Sequence, residues 1–171
     1  MVALAAAGDK EAFRSLHTAH VRDVHRFLVR RVGQDLAEDL TAETFLSAWR
    51  GLFSYVDTGA PFRAWLLRIA LRHVLTWSRR GSASELPVAE IDLPATGRLD
   101  ERVVERLTAQ GALRAALGRL TESQRAALEL RYLQDLSVPE TAAVLGLAEA
   151  ATRQLVHRAL RAMVRHMEPI G

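Results

Sequence analysis

The chain has 171 residues, of which 49% are hydrophobic, enough for one or two small domains with cores of their own and too many for a disordered protein. It contains no cysteine, which excludes disulfides, thiol catalysis and thiolate metal sites and fits the reducing cytoplasm. No uninterrupted apolar run is long enough to cross a bilayer, so we expect no membrane insertion.

Charge is distributed unevenly along the chain. Residues 1–80 hold 12 basic and 8 acidic side chains, residues 81–108 hold 3 and 6, and residues 109–171 hold 8 and 6. Two mildly basic segments therefore flank an acidic one, which favours a polyanionic partner. All but one of the 23 basic residues are arginine, a side chain that pairs well with phosphates and base edges, although a GC-rich genome also enriches arginine.

The first part of the chain predicts three long helices. Apolar residues recur at three- and four-residue steps from Asp9 to Val32, and a second helical pattern runs from about Asp35 to Leu52. The stretch SYVDTGAP, with its Asp, Gly and Pro, predicts a loop over residues 54–61. Pro61 suits the first turn of a third helix, which ends near Arg80.

A stretch without hydrophobic period follows. It reads GSASELPVAEIDLPATG, and its two prolines predict a flexible linker. Helical signal resumes near Leu99 and continues through Leu117, and nothing in the chain indicates a strand. We therefore predict an all-α protein with two small helical domains, residues 1–80 and 109–171, joined by an acidic linker over residues 81–108.

The second domain contains two clear helix starts. The stretches TESQ, from Thr121, and SVPE, from Ser137, match the capping-box pattern. Gly146 suits the end of the helix begun at Ser137, and a last helix runs from about Glu149 to His166. Two helices around a short turn at Gly146 form the helix-turn-helix arrangement.

The last helix is divided into a polar and an apolar face at about 100° per residue. No acidic residue falls between Thr152 and His166. A helix that enters the major groove of DNA needs hydrogen-bond donors in front and an apolar back for docking. The alternative is a solvated basic face on an ordinary terminal helix. The polar face comprises Arg153, Gln154, His157, Arg158, Arg161 and Arg165, and the apolar face comprises Thr152, Leu155, Val156, Ala159, Leu160 and Met163.

The third helix carries a different basic surface. Arg68, Arg72 and Arg79 fall within roughly 40° of one another, and Trp65 borders them. Arginines beside aromatic rings suit single-stranded DNA, because arginines follow the backbone while rings stack on exposed bases. The alternative is that the rings belong to the core. The rings predicted to gather around the loop are Trp49, Phe53, Tyr55, Phe62 and Trp65.

The second helix has an inward stripe and a mixed outer face. Leucines and small residues form the stripe, whereas the outer face combines charge with an apolar residue. Such a face is either merely solvated or docks a partner helix. The stripe comprises Leu36, Leu40, Thr44 and Ala48, and the outer face comprises Asp39, Glu43, Leu46 and Arg50.

The remaining polar residues do not predict an enzyme. No spacing of histidines and acids matches a catalytic triad, a P-loop or a zinc motif, so we expect no cofactor and no small-molecule substrate. His17 and His20, with His25 nearby, offer a conceivable metal site. Isolated histidines on a helix are far commoner than metal ligands, so we expect no metal.

Two segments resemble bacterial RNA polymerase sigma factors of the extracytoplasmic function (ECF, group 4) type. The polymerase-binding and promoter-melting domain of that family resembles GDKEAFRSLHTAHVRDVHRFLVRRV, EDLTAETFLSAWRGL and PFRAWLLRIALRHVLTWSRR, and the −35 recognition domain resembles LGRLTESQRAALELRYLQDLSVPETAAVLGLAEAATRQLVHRALRAM. The likeness covers almost the whole chain in the family's order. It implies an alternative sigma factor that binds core RNA polymerase, recognises −35 and −10 promoter elements and promotes DNA melting.

The resemblance also implies partners and roles. The second helix would dock on the β′ clamp helices, the C-terminal domain would meet the β flap, and an anti-sigma factor would bind the protein. The loop and third helix would hold the melted −10 element, and the last helix would enter the major groove at −35. The implied polymerase-binding residues are Asp39, Leu40, Glu43, Leu46 and Trp49; those for −10 are Tyr55, Asp57, Phe62, Arg63, Trp65, Arg68, Arg72, Thr76 and Arg79; those for −35 are Ser137, Glu149, Arg153, Gln154, His157, Arg158 and Arg161.

The chain departs from the family pattern at several of these positions. Members often carry Asn where Arg72 stands, Asp where Thr76 stands, and Arg where Leu155 and Leu160 stand. The two leucines widen the apolar side of the last helix, which suggests packing on an inhibitory partner or on the flap. A stand-alone helix-turn-helix regulator is the rival interpretation, and it predicts tight DNA binding without polymerase.

Overall fold

The computed structural model describes residues 1–80, 111–113 and 115–167, and every regular element in these ranges is helical. The all-α prediction therefore holds for the described part of the chain. The chain divides into two compact units, with residues 1–80 in the first and residues 111–167 in the second. The acidic linker predicted over residues 81–108 lies outside the described residues.

The first unit is built from one short and three long helices. Asp9 begins the first long helix, because its Oδ1 accepts hydrogen bonds from the backbone N–H groups of Glu11 and Ala12 at 2.9 and 3.1 Å. Gly33, with φ 81°, separates that helix from the next in a conformation that side chains disfavour. The helices are α1 (Val2–Ala6), α2 (Lys10–Val32), α3 (Gln34–Gly51) and α4 (Phe62–Arg80), and a 3₁₀ turn (Leu52–Ser54) follows α3.

The core of the first unit lies where α2, α3 and α4 meet. Its largest fully buried apolar side chains include Phe27 and Leu28 from α2 and Leu66 and Leu67 from α4. The predicted inward stripe of α3 is buried except for the half-buried Leu36. This packing fixes the opposite faces of α3 and α4 toward solvent, where the predicted binding residues stand.

Two threonines of α3 complete this core without polar partners from other helices. The Thr41 hydroxyl donates to the Ala37 carbonyl and the Thr44 hydroxyl donates to the Leu40 carbonyl, each at 2.6 Å. Both hydroxyls are thus satisfied within their own helix, as buried polar groups require.

The second unit carries the predicted helix-turn-helix. Both capping boxes are formed, at Thr121 and at Ser137, and Gly146 ends the following helix in the left-handed conformation with φ 68° and ψ 34°. Its small core contains Leu120, Leu128, Ala159 and Ala162. Residues 111–113 and 115–118 are helical. The helices that follow are α5 (Glu122–Leu128), α6 (Val138–Leu145) and α7 (Glu149–Met167), and a π-helical turn (Glu129–Leu133) extends α5.

Within the described ranges, none of the helices combines the length and the apolar character needed to span a membrane.

Candidate nucleic-acid interface

The polar face of α7 is fully presented to solvent. Every one of its predicted members is exposed, whereas the apolar face is buried or half-buried, with Thr152 and Ala159 at its centre. Arg153 lies 3.5 Å from the Glu149 carboxylate one turn earlier, which draws one guanidinium toward the start of the helix. The exposed residues are Arg153, Gln154, His157, Arg158, Arg161 and Arg165.

Ser137 stands at the start of α6 and already has a structural role. Its hydroxyl accepts a hydrogen bond from the Glu140 backbone N–H at 3.4 Å, and its own N–H donates to Glu140 Oε2 at 2.6 Å. Loss of such a cap destabilises a helix by about 1 kcal/mol. The hydroxyl remains exposed, so a contact with a DNA phosphate is sterically open to it.

The exposed face of α4 holds most of the residues predicted for the −10 element. Arg68, Arg72, Thr76 and Arg79 are all exposed, and Trp65 beside them is half-buried. Phe62 is only 8% exposed, so its ring serves the core. Arg63 is half-buried and lies 3.7 Å from Asp23 of α2, which ties the start of α4 to that helix.

Only part of the predicted aromatic set gathers at the loop. Tyr55, Phe62 and Trp65 do form a cluster, with ring centroids 5.2 to 5.8 Å apart. Trp49 instead packs against Phe13 of α2, with the ring centroids 4.8 Å apart. Phe53 is 81% exposed on the 3₁₀ turn. The set divides because α3 directs Trp49 toward α2 before the chain reaches the loop.

The loop between α3 and α4 is shaped by Asp57 and Gly59. Asp57 Oδ1 accepts a hydrogen bond from the Gly59 N–H at 2.9 Å, and Gly59 has φ 78°. Burial and the nearby Asp57 carboxylate raise the pKa of Tyr55. Like an ordinary phenol, the Tyr55 side chain is protonated at neutral pH, and it lies beside Trp65 of α4.

The outer face of α3 is exposed at Asp39, Glu43 and Leu46, as the predicted docking face requires. Leu40 is 5% exposed, so its side chain packs in the core and supports the face from behind. An apolar groove of about 410 Å³ adjoins Leu46. The groove is lined by Lys10, Phe13, Phe45, Leu46 and Trp49.

A second groove, of about 590 Å³, separates α3 from α4 and contains two residues that sequence reasoning missed. The Ser47 Oγ and the His73 Nε2 lie 3.1 Å apart, and His73 Nδ1 lies 3.5 Å from Glu43 Oε2. Nothing in the sequence signals this contact, because Ser47 and His73 are 26 positions apart. Arg72 and Thr76 line the same groove, next to His73.

Two of the α2 histidines, His17 and His20, pack against aromatic rings. His17 lies 4.4 Å from the Phe45 ring and His20 lies 5.7 Å from the Phe62 ring, both between centroids. Burial chiefly, with a contribution from Arg63, lowers the pKa of His20, and Asp23 partly opposes the shift. Among the residues the structure describes, no three His, Cys, Asp or Glu side chains are grouped to hold a metal.

Comparison with known proteins matches residues 16–83 to Sigma-70 region 2 and residues 110–163 to Sigma-70, region 4. The chain is 37% identical to the ECF RNA polymerase sigma factor BldN of Streptomyces coelicolor over 96% of its own length, and it spans 64% of the length of BldN. It is 30% identical to the ECF RNA polymerase sigma factor SigL of Mycobacterium tuberculosis, with 98% of this chain and 95% of SigL covered. The chain belongs to the ECF sigma factors.

Solved structures share the fold of this ECF sigma factor. CnrH, in complex with the cytosolic domain of CnrY, is 26% identical with a TM-score of 0.68, over 99% of this chain and 96% of CnrH. The sigma factor RpoE of Bartonella quintana, in complex with the anti-sigma factor NepR, gives a TM-score of 0.66 at 22% identity, over 94% of this chain and 99% of RpoE. The region matches and the two relatives confirm the predicted family.

The two region matches separate the two arginine faces of the ECF sigma factor. The exposed face of α4 lies within the region 2 match, and the polar face of α7 lies largely within the region 4 match, which ends at residue 163. The faces thus belong to distinct family regions in distinct compact units.

Proposed function

We propose that this ECF sigma factor binds core RNA polymerase, recognises the −35 and −10 promoter elements and promotes DNA melting for transcription initiation. The observation that carries the proposal is the polar face of α7, which presents arginines, a glutamine and a histidine to solvent without an acid among them. The face follows a capped α6 and a left-handed Gly146, so it stands on a helix-turn-helix scaffold.

For the −35 element, the α7 face supplies both kinds of contact that duplex recognition needs. Arginine pairs in two-pronged geometry with guanine, and glutamine with adenine, in the major groove. Arg158 and Gln154 have side chains suited to base reading, and Arg161 and Arg165 suit phosphates. We assign Ser137 to a phosphate contact that it would make in addition to its cap.

For the −10 element, the α4 face combines exposed arginines with the Tyr55–Phe62–Trp65 cluster. Opening DNA costs stacking energy of about 1–2 kcal/mol per base-pair step. Capture of an extruded base in a pocket returns a few kcal/mol. We propose that the loop over residues 54–60 holds that base and that Trp65 offers the stacking surface.

For core polymerase, the exposed Asp39, Glu43 and Leu46 form the proposed docking face on the β′ clamp helices. Two weak DNA contacts borne by one polymerase reinforce each other through effective concentration, so neither needs high affinity alone. The β flap is the proposed contact of the C-terminal unit. We propose that the protein acts in the cytoplasm, where these partners are found. Its proposed activity is binding and not enzymatic catalysis.

An anti-sigma factor is a further proposed partner. CnrH, which shares 26% identity and the fold with this chain, was solved in complex with the cytosolic domain of CnrY. A protein that covered the α3 face would compete with polymerase for Glu43 and Leu46, because both are exposed there.

Run-off transcription tests the proposal. The purified chain would be mixed with bacterial core polymerase and genomic DNA fragments, and the transcript starts would be mapped. We expect discrete starts that require both the chain and core, with shared sequences upstream. Tight sequence-specific DNA binding by the chain alone, with no binding to core, would instead support a stand-alone regulator.

A further inference from the structure

His73 joins two helices to which the proposed function gives different partners. It belongs to α4, yet its ring reaches α3, where Nε2 lies 3.1 Å from Ser47 Oγ and Nδ1 lies 3.5 Å from Glu43 Oε2. Ser47 and Glu43 are one helical turn apart, so the ring spans one turn of α3. Glu43 stands on the exposed outer face, next to Leu46.

The chemistry of the three groups favours one arrangement. A carboxylate only accepts hydrogen bonds, so the Glu43 carboxylate, 3.5 Å from Nδ1, favours the tautomer that carries a proton on Nδ1. The Ser47 hydroxyl either donates or accepts, so it complements Nε2 whether or not that atom is protonated. The contacts of His73 with Glu43 and Ser47 are therefore compatible with both the neutral and the charged ring.

The Glu43 and His73 side chains differ in how far they are exposed to solvent. The Glu43 side chain is 60% exposed and the His73 side chain is 25% exposed. A glutamate on an open helix face samples many rotamers, and fixing it on binding costs conformational entropy. A ring anchored in the α3–α4 groove restricts that sampling before any partner arrives.

We propose that His73 is a positioning residue for polymerase binding, which holds the Glu43 carboxylate on α3 ready for a basic group of core polymerase. The inference rests on the proposed function, in which the outer face of α3 docks on core. Ser47 orients the ring from the other side. His73 acts through Glu43 and needs no contact of its own with polymerase.

Core affinity in a double-mutant cycle tests the proposal with the full chain. Glu43→Gln, His73→Ala and the double variant would be compared with wild type by titration into core polymerase. We expect each single change to weaken binding by about threefold to tenfold, the size of a side-chain ordering cost. The double variant should bind no more weakly than Glu43→Gln, because His73 then has no carboxylate charge left to position.

A matched cycle uses Asp39, a carboxylate one turn away on the same exposed face. The losses of core affinity caused by Asp39→Asn and His73→Ala should be additive. His73→Gln keeps a donor toward Glu43 and should therefore retain most of the affinity. Ser47→Ala removes one contact of the ring but leaves the ring in place. It should therefore reduce core affinity less than His73→Ala does. Melting curves of all variants would verify that the first unit stays folded.

The outcomes separate this inference from the function beneath it. If wild type binds core and the His73 and Glu43 losses simply add, His73 does not act through Glu43 and the inference is overturned while the sigma-factor proposal stands. An unchanged affinity in Glu43→Gln also overturns it. If wild type does not bind core at all, the proposed function itself fails.

Discussion

The α4 face and the α7 face both present arginines, but their surroundings differ. On α4, Arg68 and Arg72 stand beside Trp65, which packs on Tyr55 and Phe62. On α7, the arginines are accompanied by Gln154 and His157, and the α7 residues behind them are aliphatic or small. Similar charge is thus combined with π surface on one helix and with hydrogen-bonding groups on the other.

This difference indicates two physical forms of nucleic acid. Rings stack only on bases that have left the duplex, so an aromatic edge favours a melted strand. Amide and guanidinium groups read the edges of paired bases, so α7 suits an intact major groove. Under the proposed function, this contrast would allow one chain to bind the two promoter elements in different physical states.

Loss of the Trp65 ring should impair the α4 face far more than the α7 face. Stacking on an aromatic ring is worth about 1–3 kcal/mol per base, so Trp65→Ala should lower open-complex formation on the order of tenfold to a hundredfold. Permanganate reactivity of unpaired thymines would measure it. Trp65→Phe keeps a ring and should retain most of the activity. An equal loss of affinity for the closed −35 duplex would show that the two faces are not specialised.

Replacing Arg158 tests whether the α7 face reads bases. If Arg158 reads a base, Arg158→Ala should weaken −35 binding by about 1–3 kcal/mol and relax the preference at one base pair. Competition between −35 variants in the holoenzyme would measure both effects. Arg165→Ala is the control, because loss of a phosphate contact should weaken all sequences alike and reduce the salt slope by about one. Uniform loss in Arg158→Ala would argue against base reading.

Ser137 allows the cap to be separated from the proposed DNA contact. Ser137→Ala should destabilise the second unit by about 1 kcal/mol, whereas Ser137→Asp keeps a capping oxygen and should restore stability. The aspartate should still weaken DNA binding, since it brings a negative charge to a phosphate. Thermal melting and DNA titration would measure the two effects. The exposed Ser123 in α5 provides a control, and Ser123→Ala should change neither.

A small pH effect on the free energy of unfolding is expected in the first unit alone. Because burial holds the pKa of His20 below its ordinary 6.5, the unfolded chain binds this proton first as the pH falls. The stability contributed by neutral His20 is therefore present above 6.5 and is lost progressively as the pH falls through the folded pKa. Urea unfolding at several pH values should show a shallower acid loss in His20→Gln than in wild type. His157→Gln, in the second unit, should leave the slope of the first unit unchanged.

Local features were predictable from the sequence. The capping boxes at Thr121 and Ser137, the left-handed Gly146 and the two faces of α7 depend on residues within a few positions of one another, and the structure contains all of them. Helical periodicity also indicated the exposed outer face of α3. Such signals need no knowledge of what packs against the helix.

Features that depend on tertiary neighbours were not predictable. Phe62 and Trp65 are three residues apart on one helix, yet the first is buried and the second is half-buried. Trp49 packs against Phe13, more than thirty positions earlier in the chain. The His73–Ser47 contact likewise requires α3 and α4 to be side by side. A helical wheel gives directions around an axis but does not identify the neighbour in each direction.

The hydrogen bonds that Thr41 and Thr44 make within α3 affect which substitutions the neighbouring helices tolerate. Each hydroxyl donates to a carbonyl of its own helix. Neither therefore needs a hydrogen-bond partner among the side chains of α2 or α4. Neighbouring helices are then free to exchange one aliphatic residue for another without stranding a donor. Around Thr41 and Thr44, substitutions in the neighbouring helices are therefore constrained by shape and volume and not by hydrogen bonding to these hydroxyls.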